Sequence, residues 1–281
     1  MKVAAIQISS GVDVDANLSA AGAAIERVAR QGAGLAVLPE NIAVYAGDYR
    51  AVAEARGRQL LEWAAEQARC HGIWLVAGTL PLDTRPDGSA VPGRRVRAAS
   101  LAFNPDGELV ARYDKLHLFD AHVGDAQGRY CESDSFEPGD RLACVDTGAI
   151  RVGLAVCYDL RFAALSTALA ERGAGLLLYP SAFTALTGEA HWETLLRARA
   201  IENGCYVLGV NQCGKHDARR ESHGHSMLVD PWGRILSKLD EHPGELISEI
   251  DASMVEDVRR RLPVLNHRRF RTGLPDDIQD C

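Results

Sequence analysis

A single α/β domain, with helices laid over sheet faces, is what the sequence predicts, and three observations carry that expectation. Apolar blocks of strand length alternate with longer amphipathic segments along the chain. The two kinds of element come in mixed order rather than in separate runs, the pattern of helices covering a sheet. No low-complexity tract, fixed-period repeat or Pro/Gly/Ser-rich linker divides the 281 residues, a length that one α/β domain can fill.

Taken in order, Val3 to Ile8 is a short strand, and Asn17 to Gln31 a helix with Leu18, Ala21, Ile25 and Val28 at helical spacing and Asn17 as its N-cap. Leu35 to Leu38 is a buried strand ended by Pro39. A second helix covers Ala51 to Cys70, with Leu60, Leu61, Ala64, Ala65 and Ala68 along one side, and Ile73 to Leu80 is the next strand. Between Arg97 and Asp120, two strands flank Asn104-Pro-Asp-Gly107, a hairpin turn signal. The alternation then resumes. Arg151 to Val156 is a strand, Phe162 to Arg172 a helix ended by Gly173, Leu176 to Tyr179 a strand stopped by Pro180, Glu189 to Asn203 a helix and Cys205 to Val210 a strand. His223 to Asp230 and Arg234 to Lys238 read as a hairpin around Pro231-Trp-Gly233, and Glu245 to Ile250 as the final strand. The domain is expected over residues 1–270. The polar, Arg-rich stretch from Arg259 on, and residues 271–281 in particular, reads as a tail that packs on a partner or stays mobile.

Composition excludes several classes. Apolar residues are 47% and charged residues 25%, an ordinary globular balance that argues against disorder. With 31 Lys+Arg against 38 Asp+Glu the net charge is −7, and no basic cluster is dense enough to make nucleic acid a partner. The longest uncharged stretch, Gly173 to Gly188, is 16 residues broken by Pro180, too short to span a membrane. Nothing near Met1 has the form of a signal peptide, so the expected setting is the cytoplasm. Seven scattered cysteines without a Cys-x-x-Cys pair suit reduced thiols rather than a zinc or disulfide framework.

One of those thiols stands apart. Cys157 follows a fully apolar strand and precedes Tyr158-Asp-Leu-Arg161, where a helix is expected to begin, so free backbone N–H groups would favour a thiolate and an oxyanion there. A buried core cysteine is the plainer alternative. Glu40 ends the apolar block Leu35-Ala-Val-Leu-Pro39; partial desolvation there would make it a usable general base, against the plainer reading of a solvated turn residue. Lys115 lies in Tyr113-Asp-Lys-Leu-His-Leu-Phe119, where a strand would put Tyr113, Lys115, His117 and Phe119 on one face. Its ammonium could meet an oxyanion there, or simply face solvent; His117 is read as structural. The pair His223-x-His225 lacks a carboxylate or thiol beside it, so no metal is expected, and Lys215 to Arg220 is read as a solvated loop.

Together, Val37-Leu-Pro-Glu40, Tyr113-Asp-Lys-Leu-His117 and Val156-Cys-Tyr-Asp-Leu-Arg161 resemble the three signature blocks of the nitrilase (carbon–nitrogen hydrolase) superfamily, at suitable separations of 75 and 42 residues between Glu40, Lys115 and Cys157. Further blocks resemble its deaminated glutathione amidase and omega-amidase branch: Tyr179-Pro-Ser-Ala-Phe183, Thr187 to Glu193, Leu196 to Glu202 and Gly224 to Gly233. Asn211-Gln-Cys-Gly-Lys-His216 leans to the first of the two.

The resemblance implies a four-layer αββα sandwich and a Glu40–Lys115–Cys157 triad, with Glu132 as a second glutamate that positions groups around the tetrahedral intermediate. The Tyr158 N–H would complete the oxyanion site, and Arg161, Phe183 and Thr187 fall where substrate contacts are expected. The loop from Ala121 to Arg129 departs from the family pattern, lacking a proline before its glycine. The implied reaction is hydrolysis of a small carboxylated amide by water through a thioester, with no cofactor, in a homodimer or larger assembly. Deaminated glutathione leads as substrate; alpha-ketoglutaramate or alpha-ketosuccinamate is the alternative. A catalytically silent scaffold is a third reading, and it has no use for four polar groups in these positions.

Overall fold

Val3 and Ala5 lie on one face of the first strand and Ala4 and Ile6 on the other, and all four are fully buried. Such a strand must be covered on both sides, and the computed structural model, which describes residues 1–270, 274–275 and 278–280, shows what covers it. The first half runs β1 (Lys2–Gln7), α1 (Val14–Arg30), β2 (Leu35–Val37), α2 (Tyr49–His71), β3 (Trp74–Leu82), β4 (Arg97–Phe103) and β5 (Leu109–Asp114). A small hairpin follows, β6 (Asp120–His122) with β7 (Arg129–Cys131). The second half runs β8 (Cys144–Asp146), β9 (Arg151–Leu154), α3 (Ala163–Glu171), β10 (Leu176–Ser181), α4 (Ala185–Asn203) and β11 (Tyr206–Asn211). After a second small hairpin, β12 (Cys213–Lys215) with β13 (Glu221–His223), come β14 (Met227–Val229), β15 (Ile235–Lys238), β16 (Gly244–Glu249), α5 (Ala252–Arg261) and α6 (Val264–His267).

Two six-stranded sheets result, ordered β16-β1-β2-β3-β4-β5 and β15-β14-β11-β10-β9-β8. In each, three parallel strands form the middle and antiparallel strands flank them. Val3, Ala5, Leu35 and Val37 pack inward against Leu154, Leu178 and Leu208 of the opposite sheet. Ala4, Ile6, Ala36 and Leu75 pack outward against α1 and α2, through Leu18, Ile25, Leu60 and Ala64. Helices α3 and α4 cover the second sheet with Leu165, Leu169, Trp192 and Leu196. This is the expected αββα sandwich in one domain.

Several local expectations are corrected. Helix α1 starts three residues before Asn17 and is capped by Asp13, whose carboxylate accepts from the Ala16 N–H. Asn17 is buried inside the helix and ties down loops: it accepts from the Gly11 N–H and donates to the carbonyls of Gly11 and Ala43, each at 2.9 Å. Strand β10 continues through Pro180 to Ser181. The Leu178 carbonyl bonds towards β9, so Pro180, two residues on, directs its missing N–H to the same side, past the end of β9, where no ladder bond is lost. Helix α4 begins at Ala185, capped by Thr184, rather than at Glu189. Strand β5 ends at Asp114, so Lys115 to Phe119 do not share a strand face. Arg259 to Arg261 belong to α5, not to a tail. Beyond it, Leu274 and Ile278 pack on the chain's own core and the Gln279 carbonyl accepts from the Leu142 N–H; residues 271–273, 276–277 and 281 of the expected tail lie outside the described residues.

Replacing Asn17 by Ala should therefore cost about 2–3 kcal/mol, because three backbone groups that are wholly or partly buried lose their partners. Urea unfolding would register this as a lower midpoint; a loss within a few tenths of a kcal/mol would mean the loops hold without it.

Candidate active site

Glu40, Lys115 and Cys157 come from three loops at the strand ends, and each loop is fixed by backbone demands. The Glu40 loop lies directly on β3, where Gly78 sits: a Cβ there would be 2.1 Å from the carbonyl oxygens of Leu38 and Pro39, so only glycine admits the approach. Thr79 Oγ1 accepts from the Asn41 N–H at 2.7 Å, and Gln212 Nε2, from the other sheet, donates to the Glu40 carbonyl at 2.8 Å. Lys115 follows β5 and keeps one more ladder bond, from its N–H to the Ala98 carbonyl.

Cys157 stands at φ +48°, a left-handed conformation that a non-glycine residue adopts only when its surroundings impose it. Asp159, fully buried, imposes it. Its carboxylate accepts from the Val156 N–H (2.8 Å), the Tyr113 hydroxyl (2.7 Å) and the His117 N–H (3.1 Å), and lies 2.7 Å from His117 Nδ1. One side chain thus locks the cysteine turn to the Lys115 loop. His117, stacked on Phe162 at 3.7 Å, is structural as expected. The helix expected to begin after Cys157 is a 3-10 helix over residues 157–161, and the α-helix α3 starts only at Ala163. The Tyr158 N–H nevertheless carries no hydrogen bond among the described residues, as an oxyanion donor must.

At the centre, Lys115 Nζ lies 2.7 Å from Glu40 Oε1 and 2.8 Å from each oxygen of Glu132, with the ammonium 2% exposed. Burial works against this charge, but Glu132 and Glu40 outweigh it and hold the Lys115 pKa well above the ordinary lysine value. Glu132, which also accepts from the Phe119 N–H at 2.5 Å, is pushed up by desolvation despite Lys115. Burial and the Glu40 charge push the Cys157 thiol well above its usual value, while Lys115 and the Ala182 N–H pull the other way. The resting thiol therefore keeps its proton beside a carboxylate able to receive it.

Cys157 sits where two spaces meet. A narrow cleft of about 20 Å³ is lined by Tyr158, Arg161, Phe183 and Thr187. Here the Arg161 guanidinium lies 5.1 Å from the Phe183 ring centre and hydrogen-bonds His191, while Thr187 shares a hydroxyl–hydroxyl bond with Thr184. The larger cavity, about 220 Å³, holds Glu40, Lys115 and Glu132 and extends past Tyr45, Tyr130 and Arg220. All eight residues singled out from the sequence thus border these two spaces. The sequence reading missed Asp159 and the outer cavity wall. Arg220, taken for part of a solvated loop, lines that wall; only its place in the β12–β13 hairpin reveals it. The 121–129 loop closes as a tight turn without proline, because Asp125 accepts from the N–H groups of Gln127 and Gly128 and from the Tyr130 hydroxyl. His223 and His225 stack on each other, and no group of three metal-ligating side chains occurs among the described residues. No helix among them is long and apolar enough to cross a membrane.

The carbon–nitrogen hydrolase family model matches residues 2–260. A deaminated glutathione amidase of Yersinia enterocolitica is 40% identical over 99% of this chain and 96% of its own. The crystal structure of the Caenorhabditis elegans NitFhit protein matches with a TM-score of 0.86 and 41% identity over 95% of this chain; the chain spans 65% of that protein, just under two thirds. A mutant amidase from Nesterenkonia sp. AN1, with the acetamide moiety of fluoroacetamide added covalently at its active-site cysteine, matches at TM-score 0.78 and 26% identity over 96% of this chain and 94% of its own.

The electrostatics make a testable statement about Cys157. Its thiolate absorbance, taken as a difference against Cys157→Ala, should appear only above the range of an ordinary thiol, and Glu40→Gln should bring it down, since a negative neighbour is removed. An unshifted titration in both proteins would contradict this arrangement of charges.

Proposed function

The chain belongs to the carbon–nitrogen hydrolase family, and we propose that Glu40, Lys115 and Cys157, with Glu132, are the catalytic machinery of an amidase whose substrate is deaminated glutathione. The observation that carries this reading is the buried ammonium of Lys115 between two carboxylates, in one cavity with the Cys157 thiol. Burying three charged groups is costly, and a structural role would be met more cheaply by apolar residues. That same cost argues against a silent scaffold.

The chemistry follows from the geometry. Glu40 takes the Cys157 proton as Sγ attacks the amide carbon. Charge building on the carbonyl oxygen meets the Tyr158 N–H and a Lys115 N–H, one of those now facing Glu132. Glu40 then returns the proton to the departing nitrogen, the C–N bond breaks and a thioester remains on Cys157. Water attacks the thioester and yields its proton to Glu40; the C–S bond breaks and the proton goes back to the thiol. The cycle needs no metal or organic cofactor. Arg161, over the aromatic face of Phe183 and near Thr187, offers a planar fork to the carboxylate of the acyl half. The acetamide adduct on the cysteine of the Nesterenkonia relative marks a nucleophilic thiol in that protein and supports a nucleophilic role for Cys157, and the name of the Yersinia relative supports the substrate. A reducing, cytoplasmic setting fits a mechanism that depends on a free thiol.

The assembly is read as a homodimer, with the 157–172 region and the C-terminal segment at its interface. Support comes from α3, which exposes Ala163 and Ala164 beside an apolar cleft formed with Leu274 and Ile278.

Cys157→Ala should abolish turnover, and Glu40→Gln and Lys115→Ala should each lower kcat by ~10²-fold or more while the fold remains intact. Mass spectrometry of a quenched reaction should place the acyl group on Cys157; an adduct on Cys205 or Cys213 instead would sink the assignment. Kinetics on deaminated glutathione beside alpha-ketoglutaramate should favour the former, and the reverse preference would make the protein an omega-amidase. Sedimentation at micromolar concentration should show a dimer; a fully active monomer would remove the interface.

A further inference from the structure

An amide's two halves diverge from its carbonyl carbon, so a substrate held at Cys157 must send one half into each of the two spaces that meet there. With the acyl half's carboxylate at Arg161 in the narrow cleft, the amine half occupies the cavity of about 220 Å³. Ammonia would leave most of that cavity unfilled, since a water-sized molecule needs only about 10–15 Å³ of such space. Its charges are also informative. Glu40 and Glu132 are both engaged by Lys115, and the other charged residues lining it are Arg129 and Arg220, one on each of the two small hairpins.

Arg220 is held in place. The His216 N–H donates to the Arg220 carbonyl, and the His216 ring bridges the Ser10 carbonyl and the Ser222 hydroxyl at 2.8 Å each, with Tyr45 edge-on against it. One guanidinium nitrogen, Nη1, contacts Asp217 at 2.9 Å in a partly exposed pair that water and salt screen. Nε and Nη2 have no partner among the described residues. The side chain of Arg129 makes no hydrogen bond or ion pair among the described residues either. A guanidinium with unspent donors at a cavity wall is suited to a carboxylate, which it can bind through two parallel bonds.

We propose that Arg220 binds a carboxylate on the amine half of the substrate and is the residue through which the enzyme distinguishes a peptide leaving group from ammonia. The inference rests on the amidase reading and adds the residue that reads the leaving group. Three amides on the C5 carboxyl of 2-oxoglutarate test it, with ammonia, alanylglycine or alanylglycinamide as the leaving amine. The alanylglycine amide should exceed the alanylglycinamide one in kcat/KM by roughly tenfold or more. Arg220→Gln should collapse that ratio and Arg220→Lys should retain part of it. A ratio near one in the unmodified enzyme, or an equal fall on all three amides in Arg220→Gln, would overturn the proposal. Calorimetry of free alanylglycine binding to Cys157→Ala, with and without Arg220→Gln, decides independently of turnover: binding lost with Arg220 supports the assignment, and no binding at all refutes it. Failure of the unmodified enzyme to cleave any of the three amides would instead count against the amidase reading.

Discussion

A lysine ammonium buried to 2% exposure sets the terms for the rest of the molecule. Several kcal/mol of hydration are lost when such a charge leaves water, and only close, well-directed partners restore them. Glu40 and Glu132 do so at 2.7–2.8 Å. Neither is near Lys115 in the chain, so the fold has to hold three loops together to hydrogen-bond precision. The surplus negative charge has an effect of its own. Together with burial, the larger cause, it raises the thiol pKa of Cys157 and so favours the protonated nucleophile at rest. Such a thiol resists adventitious oxidation, because the thiolate is the reactive form.

Three devices meet the demand for precision, and none of them is one of the reacting groups. Gly78 lets one backbone lie directly against another. Gln212 bridges the sheets by bonding the Glu40 carbonyl and the Ser10 hydroxyl and by accepting from the Ser10 N–H. Asp159 gathers the Tyr113–His117 segment and the cysteine turn onto one carboxylate, while Arg199 of α4 donates to the Leu160 carbonyl and steadies the turn from the helical side. Gln212 and Asp159 spend their polar capacity on backbone and on their neighbours, as buried polar groups must.

Much of this was legible in the sequence because period-2 and period-3.6 patterns report burial directly. The order of strands and helices, the hairpin at Asn104 to Gly107 and the strand-end positions of Glu40 and Cys157 all follow from it. What was not legible depends on contacts distant in sequence. Asn17 has the composition of a cap, yet it serves as a loop clamp because Ala43 lies beside it. Pro180 reads as a strand stop, yet the neighbouring strand has already ended on its N–H side. Arg220 reads as solvated because the cavity wall it completes is built from β7 and the loop after β2. The family blocks named the reacting groups; they were silent on the outer cavity, where the 121–129 loop already departed from the usual pattern.

Strand β1 pairs on one side with β2 and on the other with β16, residue Lys2 opposite Glu249, and the Met1 ammonium donates to the Ile250 carbonyl. Within this sheet, the strand that comes first in the chain therefore waits for the one that comes last. Throughout synthesis one edge of the first sheet stays open, a row of unpaired N–H and C=O groups bordered by apolar side chains, which is the template on which nascent chains mispair. Only when residues Gly244–Glu249 emerge can that edge be sealed. A chain shortened before that point keeps an unsealed sheet edge.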